Sequence, residues 1–474
     1  MIWSIAIKEF LDNILNLRFT VGLLLCVILV FACVTILTSD YRQRMASHHA
    51  LKAMEEEFIG NYAAKTPLAL YESAVKPPGA LHPFITGLSP DGRNNSFSFY
   101  ANPVPALFPT LDLVFIVSVL LSLLAVLFSY DSFSGERERG TLRLVAANQV
   151  SRAKILAGKW LGGIASLLVP FFVSIVLGAL YVIIQPDIRW DDYTLLNLLL
   201  VLGVSVTFIS VFYLLGLLVS SSFRHSHSSL ITAVSLWVLF ILVIPSLSPY
   251  LAAELYPIHA QVRRAQEINR LRKERDEKET RLIAECNEAF GRKYGRAFRE
   301  YREMSGEERQ QKAASDPEFG KMREAYLGER KKIQQETLSN MQEGIDKVNQ
   351  ELKDEAEKQK RTAKNLAAVS PYSDFLYAVT DLTETGLHNM DYFKRISSEY
   401  ENIIDKYREI KGIPQRLYYD GSALDFSDHP RFTYREEPLR ERLAVVLPWW
   451  GMLIVFNVVF FAGAFTAFLR YDVR

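Results

Sequence analysis

Cysteine is scarce in this chain, with 3 among 474 residues. Cys26 and Cys33 share one apolar run and, as helix residues, would stand about 10 Å apart along its axis, too far for a disulfide. Cys286 is left over, so neither a disulfide framework nor a zinc-type spacing can be drawn. Net charge is nearly absent as well, at +1 from 54 basic and 53 acidic residues. Even the charged stretch 261–365 alternates its signs closely and makes no strong field, which argues against nucleic acid as a partner. No Gly-x-x-x-x-Gly-Lys-Ser/Thr phosphate loop occurs, and Gly158-Lys159-Trp160 lacks the hydroxyl that would hold magnesium. Neither Ser-His-Asp nor paired carboxylates can be argued from spacing, so intrinsic catalysis is not expected, and no cofactor or metal is assigned to the chain itself. His225-Ser-His227 offers two imidazoles where a metal site needs three or four ligands, and reads as an exposed connector.

What the chain has in quantity is apolar sequence in blocks. Hydrophobic residues make up 49% and charged ones 23%, and the two kinds are segregated along the chain. Crossing a hydrocarbon core of about 30 Å takes about 20 mainly apolar residues. Six segments meet that demand: 19–38, 109–130, 160–184, 195–221, 229–254 and 443–469. The fold class that follows is an all-α polytopic membrane protein with six transmembrane helices. The first run outlasts a signal-peptide core and lacks a small-x-small cleavage site, so it reads as an uncleaved helix. Pro245 and Pro249 predict a kinked end for the fifth.

Within residues 1–18, Trp3, Ile7, Phe10, Ile14 and Leu17 recur at steps of four and three, with Lys8, Glu9, Asp12 and Asn13 facing the other way. That pattern predicts an amphipathic helix lying in the membrane interface. Short loops rich in Lys and Arg stay on the cytoplasmic side. Lys8, Arg18, the basic residues of 131–159, Arg224 and Arg470 therefore put both termini inside a bacterial cytoplasmic membrane, with loops 39–108 and 255–440 outside. Ile283, Cys286, Phe290, Tyr294, Ala297, Tyr301 and Met304, then Leu338, Met341, Ile345, Val348 and Leu352, predict two long helices paired as an antiparallel coiled coil. The break between them falls at Ser305-Gly-Glu-Glu and Ser315-Asp-Pro-Glu, each with the form of a capping box. The segment 255–440 is thus a largely helical ectodomain containing a coiled coil. Loop 39–108, rich in Pro and Gly around Lys76-Pro-Pro-Gly, reads as a cap rather than a continuous helix.

Residues 131–159 are charged and glycine-punctuated between two spans. Their arginines and glutamates would each cost several kcal/mol at the bilayer centre, so the segment must lie outside the hydrocarbon. A short helix is predicted after Gly135, a sharp turn at Gly140-Thr141, and Ser151 as the cap of the helix rising into span three. Gly135-Glu-Arg-Glu-Arg-Gly-Thr-Leu, Val150-Ser-Arg and Gly158-Lys resemble the signature of ATP-binding-cassette (ABC) transporter permeases of the type-2 exporter class, including the permease of nitrous-oxide reductase maturation. Asn102-Pro, Leu111-Asp-Leu, Ser370-Pro-Tyr-Ser, Asp428-His-Pro-Arg-Phe and Phe468-Leu-Arg-Tyr-Asp-Val-Arg extend the likeness to members with a large ectodomain between spans five and six.

The resemblance implies a permease subunit that pairs with a second permease, identical or paralogous, and with two separately encoded cytoplasmic ABC ATPases. Those partners would bind the ATP and magnesium. It also implies that the inner loop is a coupling helix seated in the ATPase. Its contact residues would be Gly135, Glu136, Arg137, Glu138, Arg139, Gly140, Thr141, Leu142 and Arg143, supported by Ser151 and Arg152. Membrane lipid surrounds such a subunit, and an extracytoplasmic protein is a further expected partner of the ectodomain. The rival reading is a mechanotransmitting assembly complex, in which ATP moves the ectodomain against that partner without substrate flux. Asp112 reads as a helix cap or an interfacial functional residue, and Asn197 and Asn457 as interhelical packing groups. The sequence assigns no substrate-binding residue.

Overall fold

The computed structural model describes residues 2–58, 74, 76–86, 111–142, 150–188, 190–257, 260–411 and 428–470. Six helices are long and apolar enough to cross a membrane, and no strand occurs among the described residues. The protein is an all-α, multi-pass membrane protein. Contacts divide it into two units, one of Met1–Ser246 with Ala367–Arg474 and one of Leu247–Leu366. Everything from Ala367 onward belongs by its contacts to the unit that holds most of the spans, the membrane unit, so residues 255–440 are divided between the two units.

Span one is the start of a longer helix, Leu17–Phe58. It continues 20 residues past the expected boundary at 38 because Ala-Ser-His-His-Ala-Leu-Lys-Ala-Met-Glu-Glu-Glu contains no Gly or Pro to end it. Span two opens at Leu113–Phe115, widens through a π-helical stretch at Ile116–Leu121 and resumes at Ser122–Ser129. Asp112 caps it: Oδ1 accepts from the Phe115 amide at 2.9 Å and Oδ2 from the Thr86 hydroxyl at 3.2 Å. Spans three and four are Arg152–Ile183 and Asp192–Ser222. Span five runs from Ser226–Val238 through a second π-helical stretch, Leu239–Val243, into Ile244–Leu255. The irregularity thus precedes Pro245, whose missing N–H withdraws one rung of the ladder just there. Span six is Leu439–Leu469.

Span four lies at the centre, with Val201, Val204, Phe208, Ile209, Val211, Phe212, Leu214 and Leu217 all buried. Asn457 of span six bonds across to it: Nδ2 donates to the Thr207 carbonyl at 3.1 Å and Oδ1 accepts from the Ser210 hydroxyl at 2.5 Å. Ser210 in turn accepts from the Trp160 indole of span three at 3.0 Å. The N-terminal helix Ile2–Ile14 packs on span three. Trp3, Ile7 and Leu11 are exposed, while Ala6 is buried. The side that meets the protein carries Ile5, Ala6, Glu9 and Asn13, so part of the polar stripe faces inward.

In the second unit, Ala260–Tyr294 and Pro317–Ala367 run antiparallel, since partners move oppositely along the chain. Arg263 reaches Glu355 at 3.0 Å, Lys278 reaches Glu336 at 3.3 Å, and Asn287 accepts from Tyr326 at 2.7 Å. The end near the break is closed by Cys286, Phe298, Tyr301, Phe319, Met322 and Tyr326. Ser305 and Glu308 form a capping box on Gly306–Ser315. At the second break the cap is Asp316, which accepts from the Glu318 and Phe319 amides at 3.0 and 3.2 Å, while the Ser315 hydroxyl bonds back to Gln311.

Candidate functional site, the charged turn between spans two and three

Span two ends at Ser129, and the chain turns through Tyr130–Phe133 into the short helix Ser134–Glu138. Phe133 fixes the turn: it is fully buried, its ring centroid 4.8 Å from that of Phe468 at the end of span six. The Phe133 and Ser134 amides, left without helical acceptors, both donate to the Ser220 hydroxyl of span four, at 2.9 and 3.1 Å. Gly140 ends the short helix at φ +74°, a conformation that costs a β-carbon about 1 kcal/mol or more.

Each charge on this helix has a definite task. The Arg137 guanidinium donates to the carbonyls of Ser221 and Phe223 at 2.6 and 2.8 Å, closing the C-terminal end of span four where a cation suits the helix dipole. Glu138 does the converse for span five, its two oxygens accepting from the Ser226 amide and hydroxyl at 2.9 and 2.8 Å. Glu136 accepts from Lys159 of span three at 2.8 Å. That ammonium also reaches Glu9 of the N-terminal helix at 3.2 Å and stands 5.5 Å from the Phe133 ring centre. Lys159 is 3% exposed, so its two carboxylates are what makes a buried cation tolerable. Arg18 ties the start of span one to Asp131 at 3.2 Å, to the Tyr130 hydroxyl at 3.0 Å and to the Leu127 carbonyl at 3.1 Å. Arg152 performs at span six what Arg137 performs at span four, donating to the carbonyls of Phe468 and Leu469 at 3.0 and 2.5 Å.

Glycines permit this density. A β-carbon on Gly162 would lie 2.3 Å from the Ala6 carbonyl oxygen, and one on Gly158 would lie 2.7 Å from Ile5. Spaced by four, the two let the N-terminal helix rest on the backbone of span three. Gly163, beside them, leaves room for the Tyr213 hydroxyl, which a β-carbon would meet at 1.7 Å.

The expected contact residues therefore divide. Gly135 and Leu142 are buried, Glu136 and Arg137 are half-buried and bonded inward, and Glu138, Arg139, Gly140 and Thr141 form an exposed rim. Among the described residues Arg139 and Thr141 bond to their own turn, at the Gly135 and Glu136 carbonyls. Arg143 lies outside the described residues. Ser151 occupies the cap position of span three, but its hydroxyl does not bond the helix, and its carbonyl accepts from Lys154 instead. Sequence reading missed Glu9, Ser220, Ser226 and the Gly158-x-x-x-Gly162 seam. The last had a visible signal, small residues four apart on an apolar helix, whereas Ser220 and Ser226 are ordinary hydroxyls until their neighbours are known. Among the described residues no group of three or more His, Cys, Asp or Glu could hold a metal, and the His225 and His227 rings stack at 5.5 Å.

The turn thus presents one exposed rim on a helix that is bonded to span three at Lys159, to the end of span four and to the start of span five, while the preceding Phe133 packs on span six. A comparison with curated proteins gives no match. The family model described as "ABC-2 family transporter protein" matches residues 3–473, nearly the whole chain, and the chain belongs to that family of ABC transporter permeases.

Proposed function

We propose that this permease is of the exporter type and receives the stroke of a separately encoded cytoplasmic ATPase through residues 131–159. Two ATPases would serve two permease copies, identical or paralogous, and would bind all the ATP and magnesium. On this reading the termini and the charged turn face the cytoplasm of a bacterium, and the chain stands with the large-ectodomain members of the type-2 class, near the permease of nitrous-oxide reductase maturation. One observation carries the proposal: the rim Glu138-Arg139-Gly140-Thr141 is exposed while the same short helix is bonded to three spans. A push on such a rim has nowhere to go except into the spans. Two packings of the spans, biased by closure of the ATPases, would alternate access and move substrate outward or extract it from the membrane.

The test is co-purification with the co-expressed ATPase after Arg139→Glu and Thr141→Lys are introduced together. Loss of the ATPase with normal membrane insertion is the expected result, and undiminished co-purification would sink the assignment. An epitope at residue 311 should be accessible from outside the cytoplasmic membrane, and protection there would overturn the orientation.

The second reading, mechanotransmission without flux, draws on the paired helices of 35 and 51 residues, which suit a protein partner better than a small solute. Reconstituted complex that turns over ATP yet moves no candidate lipid, peptide or ion would favour it.

A further inference from the structure

Following Pro317–Ala367 in the chain is a half-helix, Pro371–Leu382, which belongs to the membrane unit. Its start is deep. The Ser370 hydroxyl donates to the Phe240 carbonyl inside the π-helical stretch of span five. One turn on, Phe375 stacks on Phe208 with ring centroids 4.4 Å apart and planes 24° apart. Phe208 lies about 24 Å along span four at 1.5 Å per residue, the middle of that helix. The other end is shallow: the Leu382 carbonyl accepts from Arg442, in the first turn of span six, at 3.0 Å. The half-helix thus runs from mid-depth to the face opposite the charged turn.

Asp374 sits in its first turn, at the deep end. It is 0% exposed, and neither carboxyl oxygen has a hydrogen-bond partner among the described residues. Among the described residues no cationic side chain lies at that depth. Span four has no ionisable side chain between Tyr193 and Tyr213, span six has none from Leu443 to Leu469, and Leu239–Val243 has none. On its own helix the titratable neighbours are Tyr372, Tyr377 and Asp381. Arg442, at the shallow end, donates from Nη1 to Leu382 and pairs with Glu384 at 3.3 Å. His388, on the adjoining helix Leu387–Ile410, bonds Glu437 at 2.9 Å. Asp112 near Tyr372 caps span two and is acidic. An ionised carboxylate without a cation in such surroundings would cost many kcal/mol, and the group neutralises instead.

We propose that Asp374 is a proton-binding site in the middle of the membrane domain. In the packing seen here its carboxyl holds the proton as O–H. When the half-helix shifts against spans four and six and water enters, the O–H bond breaks, the proton passes to that water and a carboxylate remains; the reverse packing takes a proton back. Asp381, two turns on along the same helical face, is the next carboxyl toward the shallow end.

The test needs neither ATPase nor substrate. Dicyclohexylcarbodiimide, an apolar reagent that modifies protonated carboxyls, is applied to purified full-length protein across pH 5 to 9 and the adducts are located by mass spectrometry. We expect an adduct on Asp374 that persists at about pH 7, where an ordinary water-exposed carboxyl is ionised, and that is retained to higher pH than any adduct on the exposed Asp346. Absence of an Asp374 adduct throughout, or a pH profile identical to that of Asp346, would overturn the proposal. A second reading uses Trp449, whose ring lies 5.2 Å from Tyr377 of the half-helix. Its fluorescence should show a one-proton transition in the wild type and in Asp381→Asn but not in Asp374→Asn; an unchanged transition in folded Asp374→Asn would refute the assignment. Should Asp374→Asn fail to insert, the labelling profile of the wild type decides alone.

Discussion

The ion pairs of the charged turn and those of the paired long helices have the same chemistry and opposite character. Lys159 has 4% of its side chain exposed and holds two carboxylates that are themselves mostly covered. In the Arg263–Glu355 pair the side chains are 56% and 39% exposed. Out in water such a pair contributes about 0–1 kcal/mol, because solvent and salt screen it and two long side chains must be ordered. Under protein, losing one partner strands a buried charge and costs about 3–5 kcal/mol. The lesson is that charge density alone says little: the arms carry many more charges than the turn, but it is at the turn that Arg137, Glu138 and Arg152 tie one span end to another segment of the chain.

Four substitutions break or sharpen that contrast, in falling order of effect. Lys159→Ala leaves Glu9 and Glu136 facing each other without a cation, and we expect a loss of about 3–5 kcal/mol, read as collapse of the monodisperse peak in detergent gel filtration. Gly162→Val drives a branched side chain into the Ala6 carbonyl, a backbone atom that cannot give way, and should cost about 3 kcal/mol, seen as a lowered unfolding temperature and faster proteolysis of the N-terminal helix. Arg137→Ala removes two charged-donor hydrogen bonds to the end of span four, with a loss of about 1.5–3 kcal/mol measured the same way, but ATPase binding should survive in the molecules that fold. Arg263→Ala should change stability by less than about 0.5 kcal/mol and leave the circular-dichroism melt of the purified protein unaltered. If Arg263→Ala proved as damaging as Lys159→Ala, the distinction between the two regions would fail.

The spans, the paired helices and the Ser305 capping box were legible in sequence because each rests on local rules: a run of about 20 apolar residues, a three-and-four periodicity, a Ser and Glu three apart. The half-helix Pro371–Leu382 was not. Twelve residues containing Asp374, Asp381 and two tyrosines have neither the length nor the apolarity of a span, and only packing against Phe208 reveals its depth. The charged turn was legible as a location but not as a division of labour. Arg137 and Arg139 are two residues apart in one motif, yet the first is bonded to span four and the second lies on the exposed rim. A sequence cannot separate them, because the difference lies in which carbonyls the neighbouring helix leaves open.

The π-helical stretches of spans two and five have a consequence for the shape of the buried surface. Each wide turn accommodates about one residue more than an α-turn, and one residue is about 100° of rotation in an α-helix. The stripe that faces the protein below Ile116–Leu121 is therefore out of phase with the stripe above it. A single helix can then present one flank to span four near the charged turn and another flank at its far end, without bending. For spans two and five, a helical wheel drawn through the whole segment superimposes two faces that the molecule keeps apart.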